Sequence, residues 1–186
     1  MPRYVALLRG VNLGGHTVKM DRLRGLFEEL GFANVVTVIA SGNVAFDAKS
    51  SSARALERRI AAHLENSLGF PAATFLRTGR ELQRVLAHRA VATAGGRTVY
   101  VGFVAEPPPA AARARLLDYA SAHDEFHVEG REVYWVCRTR MMSESPFFRV
   151  GIEKAIGMTT TVRNATTVAR LVDVARAPAR AAGAKR

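Results

Sequence analysis

The chain has a single cysteine, Cys137, in 186 residues, so no disulfide can close within it, and such sparse usage suits a reducing compartment. No apolar run approaches the roughly 20 residues that a membrane-spanning helix needs. The opening MPRYVALLRG returns to charge too soon for a secretory leader, and a cytoplasmic protein with no membrane partner is expected. Acidic residues are scarce beside basic ones: 16 Asp and Glu against 27 Lys and Arg, a formal charge of +11. No Gly-x-Ser-x-Gly elbow occurs to raise a serine nucleophile. Neither a metal nor a cofactor is expected.

What is present begins with enough apolar residue, 48%, to build a packed core. The excess of positive charge points to an anionic partner, either nucleic acid or a phosphorylated small molecule. An Arg-rich solvated surface is the competing explanation. Four of the charges (Arg176, Arg180, Lys185 and Arg186) lie in the closing ARAPARAAGAKR, which contains no acid.

Hydrophobic periodicity divides the chain into two similar halves. RYVALLR alternates and predicts a strand over 4–9. Leu23, Leu26, Phe27 and Leu30 share one face of a helix that starts at Met20 and stops at Gly31. VVTVI and VAFD predict two strands joined by the turn ASGN. A helix from Ser52 to Gly69 and a strand in AATFLR complete the order βαββαβ, the ferredoxin-like order. A further helix over 78–91 opens with the capping box TGRE.

After ATAGGR the order returns. TVYVGFV predicts a strand, EPPPAAARARLLDYA a helix with prolines at its start, and EFHVE with EVYWVC a hairpin about Gly130. SPFFRVGIEKAIG predicts one helix, with Ser145 as N-cap and Pro146 at its first position. TTTVR predicts the last strand, and Asn164 caps a closing helix. The expected architecture is therefore α+β: two ferredoxin-like units, each with an added helix, arising by internal duplication. The subdomains are 1–91 and 97–177, followed by a basic tail over 178–186.

In such a unit the end of the first strand, the turn between the second and third strands and the start of the first helix share one edge. That edge gathers Arg9, Asn12, Gly14, Gly15, His16 and Lys19 with Ser41, Gly42 and Asn43. The partial positive charge of a helix start favours an anion, arginine can fork onto phosphate or carboxylate, and glycines permit close backbone approach. The competing explanation is turn chemistry alone, with Arg9 paired to Glu28, Glu29 or Asp47. GVNLGGHT has the Gly-x-x-x-x-Gly spacing of a phosphate loop, but His-Thr replaces Lys-Ser/Thr, which argues against nucleotide hydrolysis of that kind. Arg163 before Asn164 repeats Arg77 before Thr78, and both Arg163 and Asn164 join the candidate ligand set.

The stretch YVALLRGVNLGGHTVKM…LRGLFEELGFANVVTVIASGNVAFD resembles the bacterial domain-of-unknown-function 1697 family, whose members open with Y-x-A-L-L-R-G-[IV]-N-[VL]-G-G and continue to S-G-N-V-x-F. GMTTTVRNATTVARL is similar to the family's T-x-R-N-x-x-T-V-x-x-L close. The resemblance implies an α+β, ferredoxin-like protein and brings no established activity. The polar positions it shares are Arg9, Asn12, Gly14, Gly15, Ser41, Gly42, Asn43, Arg163, Asn164 and Thr167. Ala165 stands where the family usually has tryptophan, and the family's Pro-Phe after the middle helix is missing from LAHRAVATAGG.

Two other groupings carry polar chemistry. HDEFH places His123, Asp124, Glu125 and His127 in five residues, and is expected to be a solvated polar turn instead of a metal site. Tyr134 and Trp135 point to opposite sheet faces and are expected in the core, as is Cys137. The function expected is binding of an anionic ligand, phosphate- or carboxylate-bearing, or of nucleic acid, at the 9–16 loop and 41–43 turn. The alternative is an enzyme acting on a phosphorylated or carboxylated small molecule at the same place, with His16 as acid/base.

Overall fold

The structure, a computed structural model, describes residues 1–12, 17–39, 42–49 and 52–176. Gly14, Gly15, His16 and Ser41 of the candidate site lie outside the described residues, as does the expected tail over 178–186.

Two four-stranded antiparallel sheets carry the fold. In the first, β1 (Arg3–Leu8), β2 (Ala33–Thr37), β3 (Asn43–Asp47) and β4 (Thr74–Thr78) lie in the order β2-β3-β1-β4. Helix α1 (Met20–Glu29) follows β1, and α2 (Ala53–Leu68) follows β3. In the second, β5 (Thr98–Phe103), β6 (Asp124–Glu129), β7 (Glu132–Cys137) and β8 (Thr161–Asn164) repeat that order as β6-β7-β5-β8. Helices α5 (Ala110–Leu117) and α6 (Gly151–Ile156) occupy the places of α1 and α2. Both units are ferredoxin-like βαββαβ.

Alternation along β1 sends Tyr4, Ala6 and Leu8 to the helical side, where they join Leu23, Leu26 and Phe27 of α1 and Leu56, Ile60 and Leu64 of α2 in one core. Phe46 anchors it, stacked on Phe32 at 4.4 Å and edge-on to Phe27 at 5.3 Å. Each buried aromatic or branched side chain of this kind contributes about 1.5–3 kcal/mol by leaving water. In the second unit Phe147 takes that place, with Phe126 at 4.5 Å and Trp135 at 5.1 Å. Tyr134, Trp135 and Cys137 are all buried.

The caps read from sequence are present. Thr78 and Glu81 form the reciprocal box that opens α3 (Gly79–Ala87): the Thr78 N–H donates to Glu81 Oε2 at 2.7 Å and the Glu81 N–H to Thr78 Oγ1 at 3.3 Å. Asn164 Oδ1 accepts from the Thr167 N–H at 2.8 Å and caps α7 (Ala165–Arg176). Two expected helices are broken. His88 is extended (φ −60°, ψ 138°), which ends α3 and starts a separate α4 (Arg89–Ala92). Gly151, at φ +71°, separates a 3₁₀ turn over Pro146–Arg149 from α6. Only glycine adopts that conformation cheaply, so the helix cannot run through it.

Compact grouping follows the sheets: Met1–Glu81 with the described residues from Arg170 onward form one unit, and Leu82–Ala169 the other. The sequence expectation instead divided the chain between 91 and 97. Among the described residues, no helix is long and apolar enough to cross a membrane.

Candidate functional site

The corner singled out in the sequence is assembled by backbone pairing. Leu7 faces Asn43 across the β1–β3 ladder, and the Leu8 N–H donates to the Gly42 carbonyl at 2.8 Å. Gly42 sits at φ +73°, and a Cβ there would meet Leu8 Cβ at 3.2 Å and Val11 Cβ at 3.4 Å. The turn and the loop leaving β1 are therefore in van der Waals contact. The Arg9 N–H donates to the Ala73 carbonyl at 2.9 Å, so the entry to β4 forms a third wall. Gly10, at φ +83°, turns the chain there.

Asn12 closes the loop: its Oδ1 accepts from the Val18 N–H at 2.8 Å. That bond draws the start of α1 to the end of β1. Lys19 is the residue before α1 and is exposed, and its own side chain does not cap the helix. The start of a helix carries partial positive charge on its first N–H groups. Arg9, at the end of β1, is exposed as well. The first turn of α1 also holds Asp21, an acid that lies 3.5 Å from Arg24.

The acids considered as partners for Arg9 each lie against another cation. Asp47 takes the Arg3 guanidinium at 2.9 Å and the Asn34 amide at 2.7 Å. Glu29 lies 3.0 Å from Arg22, and Glu28 lies 3.7 Å from Arg24.

Asn43 is placed differently from Arg9 and Lys19. It is completely buried, and its amide donates to the Val38 carbonyl at 3.0 Å. A side chain so held shapes the hairpin instead of facing solvent. Arg163 and Asn164 lie on β8 in the other unit. Arg163 is also buried; its Nη1 donates to Thr161 Oγ1 and to the Val162 carbonyl, both at 2.8 Å. Burial lowers its pKa to about 10, which still leaves it a cation at neutral pH.

The equivalent corner of the second unit has other chemistry. There the Val104 N–H donates to the Arg131 carbonyl at 3.1 Å and Phe103 faces Glu132. Ala105, Glu106 and three prolines occupy the loop that in the first unit begins Arg9-Gly10. The architecture repeats while the cationic, glycine-bearing loop does not.

HDEFH is not a solvated turn. Asp124 begins β6 and is buried, accepting from Trp135 Nε1 and from Ser145 Oγ, both at 2.7 Å. Glu125 and His127 share the opposite face, with His127 Nε2 2.7 Å from Glu125 Oε1, and Glu125 also takes the Arg138 guanidinium. Hydrogen bonds from Arg138 and then from His127 lower the Glu125 pKa. Among the described residues no three His, Cys, Asp or Glu side chains group as a metal site. Sequence reasoning missed His88, whose partners come from strands about 40 residues away. The only local signal was a histidine, which can act as a cap, in the last turn of an expected helix.

Residues 1–134 match the family described as "Protein of unknown function (DUF1697)", and the chain belongs to that family. The match ends before Arg163 and Asn164. No protein of curated description matches the chain. Among solved structures it is similar to the conserved bacterial protein SP0830 from Streptococcus pneumoniae, at 20% identity and a TM-score of 0.71, over 94% of this chain and 99% of that one. At that identity the likeness concerns the fold.

Proposed function

We propose that this member of an uncharacterised family binds a small anion, a phosphate or carboxylate group carried by a soluble ligand, where β1 runs into the 9–16 loop. The observation that carries the reading is the Leu8–Gly42 backbone bond, which sets the loop after β1 against the turn before β3. Supporting it are the Asn12 bond to Val18, which draws the start of α1 to the end of β1, and the exposure of Arg9 and Lys19 at those two ends. Backbone N–H groups of a helix start and a forked guanidinium are complementary to a tetrahedral or planar anion.

A small anion fits better than a nucleic acid because the charge is spread out. Residues 1–81 hold eleven Lys and Arg against seven Asp and Glu, and residues 82–169 eleven against eight. Neither of these stretches carries an excess of more than four positive charges, whereas nucleic-acid binding is favoured by a concentrated basic stripe.

The test is calorimetric titration with inorganic pyrophosphate at low salt. Binding with one site per chain is expected, weakened about tenfold or more by Arg9→Ala, the loss of one charge-assisted contact. Unchanged affinity in an Arg9→Ala, Lys19→Ala double variant would remove the corner as the site.

A further inference from the structure

We propose that His88 is a proton-operated latch, holding the short helix α4 against the second sheet when neutral and releasing it when protonated. Three contacts define the latch. His88 Nδ1 accepts from the Ala90 N–H at 3.2 Å, which makes the imidazole the N-cap of α4. The ring lies flat on Tyr134 of β7, with centroids 3.9 Å apart and planes at 10°. Nε2 is 3.3 Å from Glu129 Oε2 at the end of β6.

These contacts select one tautomer. Nδ1 must be bare to accept from Ala90, so the proton sits on Nε2 and faces Glu129. A second proton can go only onto Nδ1. There it meets the Ala90 N–H, turning a hydrogen bond into a donor–donor conflict, and the cap is lost. Capping by one side chain is worth about 1 kcal/mol. Helix α4 has only four residues, too few to be stable by its backbone bonds alone.

The surroundings oppose protonation. The side chain is only 12% exposed, and burial is the chief cause of a pKa below the ordinary 6.5. Glu129 works against that shift, while His127, edge-on at 5.6 Å, and Arg89 of α4 reinforce it. Glu125 holds the far side of His127. A base whose folded pKa is depressed stabilises the closed state fully above 6.5, and the stabilisation is lost as pH falls from there toward the folded value. Acidification therefore loosens α4 and the segment 93–97 that leads into β5.

Amide exchange of residues 89–94, corrected for intrinsic rates and referred to the amides of β7, tests the latch. Between pH 7.5 and 5.5 the wild-type protein should lose up to about tenfold of protection in this segment. His88→Asn keeps a capping oxygen that does not titrate, and should show no such loss. The proposal fails if protection is unchanged in the wild type or falls equally in the variant. It also fails if the His88 ring, followed by NMR in the wild-type protein, titrates at or above 6.5. This last measurement decides the matter even where His88→Asn does not fold.

Discussion

Arg77 and Arg163 hold the same station in the two sheets. Arg77 faces Val5 across the β1–β4 ladder and Arg163 faces Val101 across the β5–β8 ladder. Each guanidinium turns back so that Nη1 donates to the carbonyl of the residue before it, at 2.8 Å in both. Both side chains are buried, Arg77 completely. The long arginine stem fills core volume while its donors satisfy backbone oxygens.

Truncating Arg77 should therefore cost both packing and hydrogen bonding. Arg77→Ala is expected to destabilise the protein by about 3 kcal/mol. Arg77→Met restores most of the volume and should recover part of that loss. Urea unfolding of the two variants checks the order, and equal losses would show that volume plays no part.

Asp124→Ala should also be severe, because it leaves the Trp135 indole and the Ser145 hydroxyl without their acceptor. A loss of about 2–4 kcal/mol is expected from two buried donors left unsatisfied. Trp135 is the only tryptophan, so its fluorescence reports the site directly. An unshifted emission maximum would show that the indole had kept a polar partner.

Asn43 and Arg9 should separate scaffold from ligand contact. Asn43→Ala removes the bond to Val38 from a fully buried position and should lower stability by about 1–2 kcal/mol. Arg9→Ala, at an exposed position, should change stability by less than about 0.5 kcal/mol. Thermal unfolding of the two proteins measures both. A large loss from Arg9→Ala would assign that side chain to the scaffold.

Glu125 predicts a response to acid. Its pKa is lowered, chiefly by the Arg138 hydrogen bond and next by that of His127. The native state then binds fewer protons than the unfolded chain. Its contribution is present above the ordinary 4.5 and is lost as pH falls through the folded value. Glu125→Gln should flatten the acid limb of the stability–pH curve, and a limb of unchanged slope would assign the acid response to other carboxylates.

Much of the fold was legible in the sequence because its signals are local. The apolar spacing of Leu23, Leu26 and Phe27 set α1, and Thr78 with Glu81 and Asn164 with Thr167 marked helix starts within three residues. The βαββαβ order, once read, also implied that the loop after β1 would meet the turn before β3. The breaks at His88 and Gly151 escaped notice because the apolar spacing on either side continues as if the helix did.

Periodicity and capping are decided by neighbours in the chain, so the amino-acid order alone determined which segments became strands and helices and how they alternate. The roles of the polar residues came only with the tertiary structure. Asn43 turned inward onto its own hairpin, Asp124 became a buried acceptor for Trp135 and Ser145, and His88 found Tyr134 and Glu129, on strands about 40 residues further along. A polar side chain takes its function from whichever group desolvation leaves within reach, and that group is chosen by the packing of distant elements.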